Sequence, residues 1–151
     1  MEYEKKSVEI PSWLTQAVRH QDIDLSTSFV SIDNFVEKLG KSKEFKEHFG
    51  FLPRKTWINY TLDTQGRDQG LRWHDERTRG VPREEANRLS IIWVEGDTSS
   101  GGGISLQLDD VVHIPFEPKT MLTVDSNVMH KVDGYESNYN PRVSLMILWK
   151  E

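Results

Sequence analysis

The chain has 151 residues, 36% of them hydrophobic and 28% charged, the balance of a soluble globular protein large enough for one sizeable core. Nineteen basic against 24 acidic residues leave a net charge of −5, so there is no global attraction to a phosphate backbone and nucleic acid is not an expected partner. With no cysteines, disulfides and thiolate metal sites are excluded, and only His, Asp and Glu remain as metal-ligating types.

The opening stretch, MEYEKKSVEIPSW, lacks the apolar segment of a secretory signal, and no apolar run reaches the length of a membrane span. A cytoplasmic protein is expected. The chain reads as a single domain over 1–151, with a mainly helical support in 1–54 and a β-sandwich core in 55–151. Within the first part, "PSWLTQAV" from Pro11 to Val18 suits a short helix. Ser31 can cap a second over "IDNFVEKLG", which places Ile32, Phe35, Val36 and Leu39 on one face and stops at Gly40. Ser42 can cap a third, "KEFKEHFG", with Phe45 and Phe49 four apart and Gly50 at its end. His20 and His48 fall in polar or helical settings and read as surface residues.

From Lys55 the texture changes to short runs rich in β-branched and aromatic residues: "TWINYTL", "LSIIWVEG", "ISLQL", "VVHIPF", "TMLTVD", "NVMHKV" and "RVSLMILW". Seven such runs with no helical period between them predict an antiparallel sandwich or barrel. The last run is apolar on both faces, which predicts a central strand. The expected class is α+β, with N-terminal helices packed on one sheet.

The stretch "GLRWHDERTRG" carries the first candidate chemistry. His74 and Glu76 are two apart, so on an extended segment they leave the same face. His130 follows on the strand-like "NVMHKV". Two neutral imidazoles and one carboxylate make a ligand set that suits Fe(II) and leaves coordination positions open. The competing reading of the stretch is a polar turn with an incidental histidine. If the loop is bent, Asp75 replaces Glu76 as the carboxylate. Arg142, in "PRVSLMILW", points into an apolar strand interior and therefore needs an anion, and Ser144 faces the same way. Its planar fork suits a carboxylate, with the Ser144 hydroxyl as a further donor.

On these motifs, residues 56 to 149 resemble the Fe(II)/2-oxoglutarate-dependent oxygenase superfamily. The order is "WINYTL", "RWHDE", "LSIIWVEG" leading to "GGGISL", then "VVHIPFEPKTMLTVDSNVMHKV" and "NPRVSLMILW", and it looks most like that of prolyl 4-hydroxylases. The resemblance implies a double-stranded β-helix, a cupin-like jelly roll. It implies iron ligands His74, Glu76 and His130, with Arg142, Ser144 and Tyr60 holding the distal carboxylate of 2-oxoglutarate. It further implies O2 consumption, ascorbate as a supporting reductant, release of succinate and CO2, and hydroxylation of a peptide side chain or small metabolite. The family usually has Asp where Glu76 stands. The alternative from another class is a non-catalytic cupin-like binding or assembly module.

Other candidates are weighed by the same chemistry. Trp73, Arg72 and Arg77 are the expected substrate contacts, and Arg79, Arg83 and Arg88 extend a basic cluster that could draw an acidic substrate to the mouth. His113 reads as a structural strand histidine. The tract Gly101-Gly102-Gly103 fits either a turn beside the site or a flexible hairpin loop.

Overall fold

The computed structural model describes residues 3–23, 29–61, 72–98, 101–135 and 141–151. All seven runs expected to be strands are strands. They are β3 (Pro53–Thr61), β4 (Arg88–Glu95), β5 (Gly101–Gln107), β6 (Val111–Ile114), β7 (Thr120–Asp125), β8 (Met129–Tyr135) and β9 (Arg142–Trp149). Leu62 of "TWINYTL" and Asn140 of "NPRVSLMILW" lie outside the described residues. Two further strands come from the N-terminal part, β1 (Tyr3–Ser7) and β2 (Phe29–Asp33). A six-stranded antiparallel sheet in the order β1-β7-β4-β9-β3-β2 faces a three-stranded sheet in the order β6-β5-β8. This is the double-stranded β-helix architecture.

β9 lies between β4 and β3 at the middle of the larger sheet, because both of its faces are apolar. Val143, Leu145 and Ile147 face three short helices, α1 (Ser12–Arg19), α2 (Phe35–Lys38) and α3 (Ser42–Phe49). Leu14 and Val18 of α1, Phe35 and Val36 of α2, and Phe45 and Phe49 of α3 close over that face. The alternate residues of β9, Met146 and Leu148, pack toward the smaller sheet with Trp57, Leu89, Ile91, Ile104 and Leu106. Residues 142 and 144 share that inner parity, and so open between the sheets.

The N-terminal part differs from the expectation of a mainly helical support. Ser31 does not cap a helix. It lies within β2, whose Val30 and Ile32 pair with Tyr60 and Ile58 of β3. The alternation of Val30 and Ile32 with Ser31 and Asp33 has strand period, and pairing against the open edge of β3 satisfies a backbone that a four-residue helix would leave half unbonded. Asn34 then turns the chain with a φ of 56°, in the left-handed region that Asn tolerates, before the single turn of α2. β1, "YEKKS", was not foreseen because it has no apolar alternation. It is an edge strand paired with β7, and its Lys and Glu side chains suit an exposed edge. Among the described residues no helix is long and apolar enough to cross a membrane.

The triglycine tract is not a loose loop. Gly101 to Gly103 open β5, and Gly103 has a φ of 112°, where a Cβ would stand 2.2 Å from the Ile114 carbonyl oxygen. Glycine is required there both by conformation and by the close approach of β6. Gly103→Ala is therefore expected to lower the unfolding free energy by at least about 2 kcal/mol. Urea denaturation of the two proteins checks this. A loss below a few tenths of a kcal/mol would show that β5 and β6 do not approach so closely.

Candidate metal centre

His74 and His130 form an isolated antiparallel bridge: the His74 N–H donates to the His130 carbonyl at 2.9 Å and the His130 N–H to the His74 carbonyl at 2.8 Å. Directly opposed residues of such a pair send their side chains to one face. The two rings accordingly meet at 4.4 Å between centroids. Past Asp75 the chain leaves the extended conformation and enters a 3-10 turn, Glu76–Arg79. Glu76 thus reaches the imidazoles from the start of a turn, not by strand alternation as its spacing predicts.

The result is a compact group in which one ligand atom each from His74, Glu76 and His130 lies within 4.8 Å of the others. Glu76 Oε1 stands 2.9 Å from His130 Nε2 and 3.7 Å from His74 Nε2. Asp75 is buried and outside this group.

The other nitrogen of each ring is committed. His74 Nδ1 lies 2.8 Å from the Arg72 carbonyl and His130 Nδ1 3.0 Å from the Val128 carbonyl. A carbonyl only accepts, so each Nδ1 carries a proton, and in a neutral ring each Nε2 presents a lone pair. Two lone pairs and a carboxylate oxygen then converge in a pocket where Glu76 and His130 are 6% and 4% exposed. Such a set is stable only around a cation, either a proton on an imidazole or a metal ion. Burial, the largest influence on the Glu76 carboxyl, pushes it toward the neutral form. The hydrogen bond and charge of His130, with the charges of His74 and Arg79, outweigh burial and hold the group below the ordinary carboxylate range. The donor set fits a hard-to-borderline divalent ion with N and O ligands, as Fe(II) is.

On the inner face of β9, Arg142 is 4% exposed. Its Nε donates to the Asp97 carbonyl at 2.9 Å and its guanidinium lies 4.4 Å from the centroid of Phe116. Gly96 packs directly on it, where a Cβ would come within 2.8 Å of Arg142 Cγ. Ser144, two residues on, is opposite Asn59 of β3 and Trp93 of β4. The Asn59 Oδ1 is buried without a hydrogen-bond partner among the described residues. Asn59 was missed from the sequence although its alternation with Trp57 places it on the inner face. A cationic fork, a hydroxyl and an amide side chain on this face form a set that can receive a carboxylate.

Tyr60 is not part of that set. It is on the opposite face of β3, in the core beneath α1, and its hydroxyl donates to the Val18 carbonyl at 3.3 Å. Burial there, with Glu95 nearby, pushes the phenol above its ordinary value. The reason is parity: Tyr60 alternates with Asn59, and only one of them can face inward.

Trp73 precedes His74 and leaves the chain on the other face, where Lys131 Nζ lies 5.5 Å from its ring centroid. It therefore does not wall the space between the sheets. Arg72 is exposed and contributes its carbonyl to His74. The Arg77 side chain lies outside the described residues. The rest of the basic cluster is neutralised, since Arg79 pairs with Asp33 and Glu76, Arg83 with Asp125, and Arg88 with Glu151. An open basic mouth is not what these arginines build. His113 Nδ1 is 2.6 Å from Asp133, which also accepts from Ser105, so His113 is tied within the outer face of the smaller sheet.

No family model matches the sequence, and neither does any curated protein. Solved structures do match. An oxidoreductase of the 2OG-Fe(II) oxygenase family from Burkholderia pseudomallei superposes with a TM-score of 0.64 at 11% identity, covering 99% of this chain and 84% of that one. EctD from S. alaskensis, solved with 2-oxoglutarate and 5-hydroxyectoine, gives 0.62 at 14% identity over 99% and 72% of the two chains. A Pseudomonas putida prolyl-4-hydroxylase gives 0.53 at 13% identity over 99% and 93%. At these identities the likeness is one of fold, and the fold is that of the 2-oxoglutarate/Fe(II) oxygenases.

Arg83 also borders a cavity of about 270 Å³ that reaches Glu76. The hydrogen bond from Arg83 holds the Asp125 carboxyl below its ordinary value; partial burial opposes it, and the Asn127 N–H, the Arg83 charge and the Arg88 charge add to it. The folded protein thus binds that proton less tightly than the unfolded chain. The pair's contribution is full above the ordinary carboxylate range and is lost as pH falls through the depressed folded value. In urea titrations, the stability advantage of the native chain over Asp125→Asn is expected to be constant near neutrality and to shrink below about pH 4. An advantage that grows on acidification would reverse the assignment.

Proposed function

We propose that the chain is an Fe(II)- and 2-oxoglutarate-dependent oxygenase that hydroxylates a peptide side chain or small metabolite, with release of succinate and CO2. The observation that carries this reading is the convergence of two lone-pair nitrogens on one oxygen of a buried carboxylate, with both Nδ1 positions already tied to backbone carbonyls. A structural histidine pair has no need of such an arrangement, whereas a metal site has.

His74, Glu76 and His130 would hold the iron and leave positions on it for co-substrates. When bound, Fe(II) with 2-oxoglutarate supplies the oxidative decarboxylation and the activation of O2 that protein side chains cannot perform, with ascorbate as a supporting reductant. The chain's own work is binding and orientation. Arg142 and Ser144 would take the far carboxylate of 2-oxoglutarate, and Asn59 opposite them can turn its amide to add a donor. Phe116 against the guanidinium limits the positions it can occupy, so the co-substrate's approach is set before reaction. The two sheets exclude water from this space with Trp93, Phe116, Ile104 and Leu106.

Both substrate classes occur among proteins of this fold: one neighbour is a prolyl hydroxylase in complex with a peptide fragment, and another carries 5-hydroxyectoine. Pairing of the described arginines removes the basis for an acidic substrate drawn by a basic mouth.

Purified chain supplied with Fe(II), ascorbate and 2-oxoglutarate is expected to release succinate, even without substrate at a slow uncoupled rate. His130→Ala and Glu76→Ala are expected to lose stoichiometric metal, while Asp75→Ala keeps it. Arg142→Ala should retain the metal and weaken 2-oxoglutarate binding by about 2 kcal/mol or more, the scale of a buried charge-assisted pair. Isothermal titration of each variant separates these effects. Metal retained by His130→Ala, or unchanged 2-oxoglutarate affinity in Arg142→Ala, would sink the proposal.

A further inference from the structure

We infer that Arg79 is a positioning residue for the metal centre, holding Glu76 so that the carboxylate offers a bound cation one oxygen only; this rests on the iron-dependent function proposed for the site. The two oxygens of Glu76 have different neighbours. Oε1 faces both imidazole Nε2 atoms, at 2.9 and 3.7 Å, while Oε2 lies 3.5 Å from Arg79 Nε. With the Glu76 side chain 5% exposed, Oε2 has little access to water, and a protein cation must take that place.

Arg79 is itself held from three sides. Its guanidinium lies 4.0 Å above the centroid of Trp57, a ring buried in the inter-sheet core. Its Nη1 donates to Asp33 at the end of β2 at 3.1 Å, and its carbonyl accepts from Lys55 Nζ on β3 at 3.1 Å. Glu76 and Arg79 are the first and last residues of one 3-10 turn, in which side chains three apart eclipse. The turn thus stacks the arginine on the carboxylate, and β2 and β3 fix the arginine.

This geometry answers a difficulty that glutamate brings. Glu has one more rotatable bond than Asp, and an unrestrained Glu carboxylate can turn both oxygens to a cation and occupy two positions. Engaging Oε2 with a guanidinium opposes that rotation. The alternative role is purely electrostatic, and its sign is opposite: a cation beside the ligand repels the metal, so its removal would tighten metal binding.

Co(II), followed by its visible absorption, is the probe. The unaltered chain is expected to bind one equivalent. Arg79→Ala should raise the Co(II) dissociation constant about 10- to 100-fold, the usual scale for a residue that orients a metal ligand, and should change the shape of the absorption band. Arg79→Lys, which keeps the charge but cannot engage Asp33 and Glu76 with one planar fork, should shift the constant in the same direction by less. In a Glu76→Asp background, where the carboxylate no longer reaches Arg79, Arg79→Ala should have little effect, and that coupling excludes a general loss of structure. Thermal melts check that the variants are folded. An unchanged or tightened Co(II) constant in both Arg79 variants, or an undiminished effect in the Glu76→Asp background, overturns the positioning role alone. Failure of the unaltered chain to bind Co(II) overturns the iron reading with it.

Discussion

Two backbone hydrogen bonds between His74 and His130 tie the site together. They join a segment outside either named sheet to the first residues of β8, at the one position where the register places both side chains toward the space between the sheets. Everything else at the centre follows from that bridge. It sets the ring separation, lets each Nδ1 reach the carbonyl two residues earlier, and leaves both Nε2 lone pairs directed at whatever Glu76 brings. A one-residue slip would turn both imidazoles to the outer face, where Trp73 and Lys131 now meet.

The β-rich part of the fold was legible because its signals are local. Strand period, β-branched residues and turn residues mark all of β3 to β9, and the doubly apolar "RVSLMILW" announces its own central place. The two edge strands were not legible for opposite reasons. "YEKKS" has no apolar face, since an edge strand with both faces near solvent needs none. "FVSID" carries strand period, but its proximity to "NFVEKLG" let a helical count run through it, and only the presence of an open β3 edge decides between them. Such a choice is tertiary, and no window of sequence contains it.

The site shows the same division. That His74, Glu76 and His130 gather, and that Asp75 stays out, was readable from spacing, yet the stated reason was incomplete. Spacing assumed an extended chain through Glu76, whereas a 3-10 turn begins there. Glutamate, one methylene longer than aspartate, reaches the imidazoles from that turn. Tyr60 was misplaced for a simpler cause. Motif order locates a residue on a strand, but the face is a matter of parity, and on β3 the inward positions are those of Trp57 and Asn59. The basic cluster misled because charge in sequence says nothing of pairing. Asp33, Asp125 and Glu151, which neutralise Arg79, Arg83 and Arg88, are remote from them in the chain.

The N-terminal part is therefore more than a cover for the larger sheet. Leu14, Val18, Phe45 and Phe49 bury the outer face of β9 and β3, and so leave the opposite parity of those strands, Arg142, Ser144, Trp57 and Asn59, to face inward. β2 extends the sheet past β3 and delivers Asp33 to Arg79, which in turn meets Glu76. A continuous set of contacts thus runs from the N-terminal edge strand through an arginine stacked on Trp57 to the carboxylate of the candidate metal centre. Removal of the first fifty residues would expose the apolar face of the sheet and also release the group that fixes Glu76. The helices and β2 belong to the centre's support as much as the strands that bear its ligands.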